Sequence, residues 1–158
     1  MNLNLTSIIA LLLLVSCSRE PPFDEEQAIE DILKMHYSQR DFHFDKDSLS
    51  FVKQFTHDFT SVNAGVISFP SKSATQSRYH RYFSSVNFLK WDDVQEPLIR
   101  FSKDGTLAYT VVDKLVAVEY KNEHNETRVD STHFAWIAIY RNTASGWKIE
   151  SVASTNKP

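Results

Sequence analysis

The apolar positions change their spacing along the chain, from a helical period in the first half to a strand period in the second. A first helix is predicted from about residue 25 to residue 40, because acidic residues gather at its start, where the helix dipole favours them. One face of this helix is expected to be buried. Its stripe recurs at intervals of three and four residues and consists of Ile29, Ile32, Leu33 and His36.

Two further helical segments follow. A short second helix is predicted after Asp45 or Asp47, since either carboxylate can cap its first turn. The chain from 59 to 69 is then predicted to be extended. A third helix is expected after Pro70, where small polar residues offer caps. Its stripe consists of Tyr79, Tyr82, Phe83 and Val86.

Beyond Trp91 the pattern predicts strands separated by turns. The dipeptide Asp104-Gly105 lies between two apolar runs, which is a strong hairpin signal. Helices followed by a meander of long strands indicate an α+β fold, with helices on one face of a curved, mostly antiparallel sheet. The strands are predicted at 98–101, 107–120, 128–141 and 147–154.

The strand from 107 to 120 is apolar on both faces. Tyr109 and Val111 lie on one face and Val112 and Val116 on the other. A sheet with one solvated face would alternate more cleanly. We therefore expect a homodimer through the outer sheet face, with coverage by the chain's own segments as the alternative.

The pattern at the N-terminus predicts an export signal. The apolar run from Ile8 to Val15 is shorter than the roughly 20 residues that span a bilayer, but suits a signal-peptide core. Residues 14 to 17, Leu-Val-Ser-Cys, resemble the bacterial lipobox, although residues 1–16 contain no Lys or Arg. We expect a signal peptide at 1–16, acylated Cys17 in a tether at 17–24, and one domain at 25–158. The protein would be anchored to a membrane of the bacterial cell envelope, in an unspecified leaflet. The alternative is a buried N-terminal helix with a chance cysteine.

Composition narrows the classes of function. Cys17 is the only cysteine, so it leaves no intramolecular disulfide and no cysteine-based metal site. The 17 basic and 20 acidic residues are mixed and give a net charge of −3, so nothing attracts nucleic acid. The six histidines show no paired spacing typical of metal ligands. We expect no metal and no cofactor.

Four segments in this order carry a resemblance to a known superfamily: 55–59 (FTHDF), 99–108 (IRFSKDGTLA), 134–141 (FAWIAIYR) and 146–149 (GWKI). Over roughly residues 25–155 the chain resembles the superfamily named after nuclear transport factor 2. That superfamily includes SnoaL-like polyketide cyclases, scytalone dehydratase, limonene epoxide hydrolase and ketosteroid isomerase. The resemblance implies a cone in which the sheet wraps around the helices and leaves an open pocket. Members are enzymes, ligand binders or interaction modules, so the pocket residues must decide the function.

Ketosteroid isomerase provides the sharpest test of an enzymatic function. The resemblance places its base near Asn63 and its protonated carboxyl donor near Ile137, and neither residue can fill the role. It therefore argues against that chemistry. A dehydratase would need an Asp/His pair. The available residues are His36, His57, His133, Asp41, Asp58 and Asp113.

We expect the domain to bind a small apolar or amphipathic molecule in the cone, or another envelope protein. The alternatives are an acid–base enzyme of the dehydratase, cyclase or isomerase kind, and a structural dimerisation module whose own aromatic rings fill the cone. No catalytic residue is assigned. Each candidate for the pocket lining also has an ordinary alternative as a core, interface or rim residue. The candidates are His36, Tyr37, Asn63, Tyr82, Trp91, Tyr109, His133 and Trp136.

Overall fold

The computed structural model describes residues 23–157 and confirms the predicted α+β class. Cys17, the predicted signal peptide and most of the predicted tether lie outside the described residues. N-terminal helices pack on a curved, unclosed sheet. The elements are α1 (Glu25–Phe44), α2 (Ser48–Lys53), β1 (Phe55–Asn63), β2 (Val66–Ser68), α3 (Lys72–Ser85), β3 (Val86–Asp93), β4 (Leu98–Phe101), β5 (Leu107–Lys121), β6 (Thr127–Thr143) and β7 (Gly146–Lys157).

Helix α1 is one turn longer than the sequence pattern predicts. Its N-cap is Asp24, whose carboxylate accepts a hydrogen bond from the Gln27 amide at 3.0 Å. The buried stripe continues from Gln39 to His43, past residue 40, and this burial keeps the last turn helical. Asp47 caps α2 through the Ser50 amide. Across residues 23–157, no helix has both the length and the apolar character needed to cross a bilayer.

The sheet has the order β2-β1-β7-β6-β5-β3, with β4 also paired to β5. The β1–β7 pair is parallel and the other pairs are antiparallel. The sequence pattern missed β3, because Val86 continued the apolar spacing of α3. Val86 is instead the first residue of the strand and has the extended conformation that ends the helix.

The two faces of the sheet are set by strict alternation along β5 and β6. Even-numbered residues of β5 from Ala108 to Val116 point toward the helices and are buried. Odd-numbered residues point outward. Four outward-pointing residues on neighbouring strands are register partners and form one row across the sheet. They are Leu98, Val111, Ile137 and Ala153. This row is exposed, so the apolar outer face expected from the sequence is present and uncovered within residues 23–157.

Candidate functional site

A cavity of about 330 Å³ lies between the helices and the inner face of the sheet. Aromatic residues dominate its lining, and α1, α2, α3 and strands β1, β3, β6 and β7 all contribute. The lining consists of Gln39, His43, Phe51, Phe55, Phe59, Ser61, Val62, Asn63, Arg78, Tyr79, Tyr82, Trp91, Phe134, Trp136, Ala138, Tyr140, Ile149, Val152 and Ser154.

The lining changes from a buried apolar floor to an exposed polar mouth. Strand register fixes this order. Phe55, Ile149 and Tyr140 are paired across three strands and form one buried row of the floor. Farther along the same strands, the mouth includes the paired row of Asn63, Ser154 and Trp136, in which Asn63 is exposed. The cavity therefore has an apolar inner end and a polar outer end.

His43 is the buried imidazole of the cavity wall. It stacks on Trp91 with ring centroids 3.6 Å apart and also contacts Phe51, Phe83 and Phe88. Its Nδ1 lies 2.6 Å from the Gln39 carbonyl oxygen; since a carbonyl only accepts, Nδ1 carries the proton. Burial lowers the pKa of His43 to about 3, so the ring is neutral near pH 7.

The other titratable groups of the lining leave a single formal charge near pH 7. Burial raises the pKa of Tyr79 and of Tyr82, and it raises the pKa of Tyr140 to about 12, so all three are neutral. The described lining contains no Asp or Glu. Arg78 on α3 is its only formally charged residue, and its guanidinium lies 4.9 Å from the centroid of the Tyr79 ring.

A second group of titratable side chains, which we call the ionic cluster, consists of His36, Asp93 and Lys114. The Lys114 ammonium lies 2.6 Å from one carboxylate oxygen of Asp93, and His36 Nε2 lies 3.0 Å from both. Burial lowers the pKa of Lys114; burial also acts to raise the pKa of Asp93, but the hydrogen bonds from His36 and Lys114 leave it lowered. Lys114 Nζ lies 5.7 Å from the centroid of the Trp91 ring, and no member of the cluster lines the cavity.

Four of the residues predicted for the pocket lie in the cavity lining, namely Asn63, Tyr82, Trp91 and Trp136. The structure places the other four elsewhere, which corrects the prediction. His36 is on the buried stripe of α1 but turns to Asp93, whereas Tyr37, one position on, is half exposed. Tyr109 and His133 are odd-numbered strand residues and point outward, because side chains alternate between the faces of a sheet.

The position matched to the isomerase donor also needs correction. Ile137 is 46% exposed on the outer face. Its neighbours Trp136 and Ala138 point inward instead, because a step of one residue along a strand moves the side chain to the opposite face. His133 is four residues before Ile137 on the same strand and also points outward. It pairs with Asp113 on that outer face. The predicted base position, Asn63, lines the mouth of the cavity.

Sequence reasoning missed His43, Arg78, Asp93 and Lys114. His43 had a usable signal, because it lies seven residues after His36 and so falls on the same helical stripe. Asp93 and Lys114 had none, since His36 is 57 and 78 residues away from them in the chain. Within residues 23–157, no three His, Cys, Asp or Glu side chains come together in a way that would hold a metal ion.

Solved structures resemble this cone at low sequence identity. A protein of the NTF2-like family from Streptomyces avermitilis, provisionally described as a dehydratase, matches with a TM-score of 0.68 and 9% identity, over 84% of this chain and 99% of its own. This domain has the NTF2-like fold. An NTF2-like superfamily protein from Salmonella enterica serovar Typhimurium matches with a TM-score of 0.67 and 13% identity, over 85% and 94% of the two chains.

A third match to the NTF2-like cone comes from Exiguobacterium sibiricum and is provisionally described as a calmodulin-dependent kinase II association domain. It has a TM-score of 0.64 and 11% identity, over 89% of this chain and 98% of its own. No protein-family sequence model and no curated protein sequence matches the chain. The likeness concerns the NTF2-like fold alone, because at this identity the residues of the cavity differ freely.

Proposed function

We propose that this protein binds a small apolar or amphipathic molecule in its cone, as a lipid-anchored protein of the bacterial cell envelope. The cavity is the observation that supports binding. Its volume of about 330 Å³ and its aromatic lining fit the usual character of small-molecule sites. A buried apolar floor and a polar mouth suit a ligand with an apolar body and one polar end. A structural module with a self-filled cone would leave no such space.

Binding in the cavity is tested by narrowing it. The full-length chain carrying Cys17→Ser, which takes no acyl group, is titrated with 1-decanol and with decanoate while tryptophan fluorescence is followed. Trp91 and Trp136 line the cavity, so occupation should change the emission in a saturable way. Ala138→Leu places a larger side chain in the cavity and should weaken binding at least tenfold. Each leucine methyl group it inserts occupies space that the ligand needs.

Ala135→Leu is the matched control, because Ala135 lies on the same strand but is exposed on the outer face. It should bind both probes as the parent chain does. The proposed function fails if neither probe changes the emission saturably, or if Ala138→Leu binds as well as Ala135→Leu.

An acid–base enzyme is the second candidate, and one observation favours it. Asp93 and His36 are within 3.0 Å of each other on the inner side of the sheet, as a proton-transfer pair would be. They do not line the cavity, and the described lining offers no carboxylate. A substrate held in the cavity would therefore not contact Asp93. We rank binding above catalysis for this reason.

The membrane anchor rests on the sequence around Cys17, whose thiol would carry the lipid. Metabolic labelling with a fatty-acid analogue should mark the full chain in a bacterial host, and Cys17→Ala should abolish the label. Labelling that persists in Cys17→Ala would refute the anchor.

The outer sheet face is the proposed surface for a second copy of the chain. Its apolar centre is flanked by the polar pair Asp113–His133 and the ion pair Arg141–Glu150, which a two-fold interface can present symmetrically. The chain should sediment as a dimer, and Val111→Lys should make it monomeric, whereas Val66→Lys on the exposed β2 should not. A parent chain that is monomeric at high concentration would contradict this assembly.

A further inference from the structure

The cavity lining carries formal charge of one sign only. Arg78 contributes a positive charge to the lining, and no lining residue contributes a negative one. His43 is neutral near pH 7, so it adds no charge to the lining. A ligand that fills the cavity therefore meets one cation and otherwise neutral groups.

Arg78 lies at an exposed part of the lining, with its charge unpaired within residues 23–157. The residue is exposed, and its guanidinium lies 4.9 Å from the ring of Tyr79, which itself packs on Phe51 at 4.6 Å. This cation–π contact and a hydrogen bond between the two side chains orient the guanidinium, and a single such bond leaves most of its five N–H donors for a ligand. No ion pair joins Arg78 to a described carboxylate. Helix α3 contains Lys72 and Arg81 as well, and no acidic residue.

Neutral hydrogen-bonding groups complete the mouth. Asn63 at the end of β1 is the register partner of Ser154 on β7, and both side chains line the cavity. Neither side chain forms a hydrogen bond with another described residue. An amide, a hydroxyl and a guanidinium in one cavity lining are the donors with which proteins commonly bind a carboxylate.

We propose that the ligand is an anionic amphiphile, whose carboxylate pairs with the exposed guanidinium of Arg78 while its apolar tail lies against the aromatic lining. The proposal rests on the proposed function and names its ligand class. A volume of about 330 Å³ holds on the order of a dozen heavy atoms, taking about 30 Å³ for each. A medium-chain carboxylate has this size. Bidentate pairing with a planar guanidinium would fix its polar end.

The test compares probes that share one tail and differ in the head group. Decanoate, 1-decanol and decyltrimethylammonium are titrated below their aggregation limits into the full-length Cys17→Ser chain, with tryptophan emission and calorimetry as readouts. A charge-assisted hydrogen bond at a partly exposed site is worth roughly tenfold in affinity. Decanoate should therefore bind at least about tenfold more tightly than 1-decanol, and the ammonium should bind most weakly.

Arg78→Gln should bring the affinity for decanoate down to that for 1-decanol, while 1-decanol binds as before. Arg81→Gln is the matched control, because Arg81 is an exposed arginine of the same helix that does not line the cavity. It should bind decanoate as the parent chain does. Arg78→Lys keeps the charge but loses the planar fork of the guanidinium. Its affinity for decanoate should therefore lie between that of Arg78→Gln and that of the parent chain.

The outcomes separate this inference from the proposed function. If 1-decanol binds as tightly as decanoate, or if Arg81→Gln weakens decanoate as much as Arg78→Gln does, the anionic ligand class is refuted and cavity binding stands. If no probe gives a saturable signal with the parent chain, cavity binding is refuted and the ligand class with it.

Discussion

His36 and His43 lie on the same buried stripe of α1, two turns apart, yet their surroundings differ in kind. His36 is 2% exposed and faces the carboxylate of Asp93 and the ammonium of Lys114. His43 is 1% exposed and faces four aromatic rings, with a backbone carbonyl as its hydrogen-bond partner. Trp91 stacks on His43 and lies near Lys114, so it separates the two regions.

The comparison shows two ways of burying polar groups in one core. On the His36 side, ions are buried together and each satisfies the other. On the His43 side, burial removes the charge from the single titratable group, and this leaves a neutral wall for the cavity. The first region therefore stabilises a specific arrangement of the sheet and α1, whereas the second can receive an apolar ligand.

Breaking the ionic cluster should have the largest effect. Asp93→Asn leaves the buried Lys114 ammonium without its carboxylate and should lower the free energy of unfolding by about 3 kcal/mol. Asp92→Asn is the matched control, because Asp92 is 47% exposed and its pairs with Arg40 and Lys90 are on the surface. It should cost less than about 0.5 kcal/mol. Urea unfolding midpoints measure both changes, and equal costs would contradict the comparison.

Replacing the whole cluster should cost far less than breaking it. The triple variant His36→Leu, Asp93→Leu, Lys114→Met removes every buried charge at once, so no ion is left unpaired. Its free energy of unfolding should recover to within about 1 kcal/mol of the parent chain. A triple variant that is less stable than Asp93→Asn would show that the cluster contributes more than mutual satisfaction of its charges.

The His43 side predicts a smaller, pH-dependent effect. The pKa of His43 is lowered in the fold to about 3, below the ordinary value of 6.5 expected in the unfolded chain. Below pH 6.5 the unfolded chain therefore binds a proton that the native protein does not, so stability falls as pH falls. Between pH 7 and pH 5 the loss should be about 2 kcal/mol. The lowered pKa of Asp93 places its own titration below this window.

Unfolding free energies measured at several pH values check this expectation. His43→Gln should remove most of the decrease, because glutamine does not titrate. His57→Gln, at an exposed position of β1, should keep it. If His43→Gln and the parent chain lose the same stability between pH 7 and pH 5, His43 is not the group responsible.

The α+β class, the caps at Asp47 and the Asp104-Gly105 hairpin were readable from the sequence, because each depends on residues a few positions apart. The length of α1 was underestimated, since the last turn is held by contacts of His43 with residues 8 to 48 positions away. Strand β3 is missed because Val86, its first residue, continues the helical spacing of the apolar residues of α3.

Half of the predicted lining lies in the cavity, and the two errors on strands, Tyr109 and His133, have one physical origin. Aromatic residues such as Trp136 were chosen for their chemistry, which does not specify a face. Strand parity decides that Trp136 points inward and Tyr109 outward, and parity is fixed by pairing between strands.

The sequence alone determined that helices come before a meander of long strands, that both faces of β5 are apolar and that the domain has no internal disulfide. Those properties follow from local periodicity and from the residues present. Only the tertiary structure decided that His36 contacts Asp93 and Lys114 and that His43 is neutral. It also decided that Arg78 is the only formally charged residue of the described cavity lining. Charge state and pairing depend on burial and on distances between residues far apart in the chain, which no local pattern encodes.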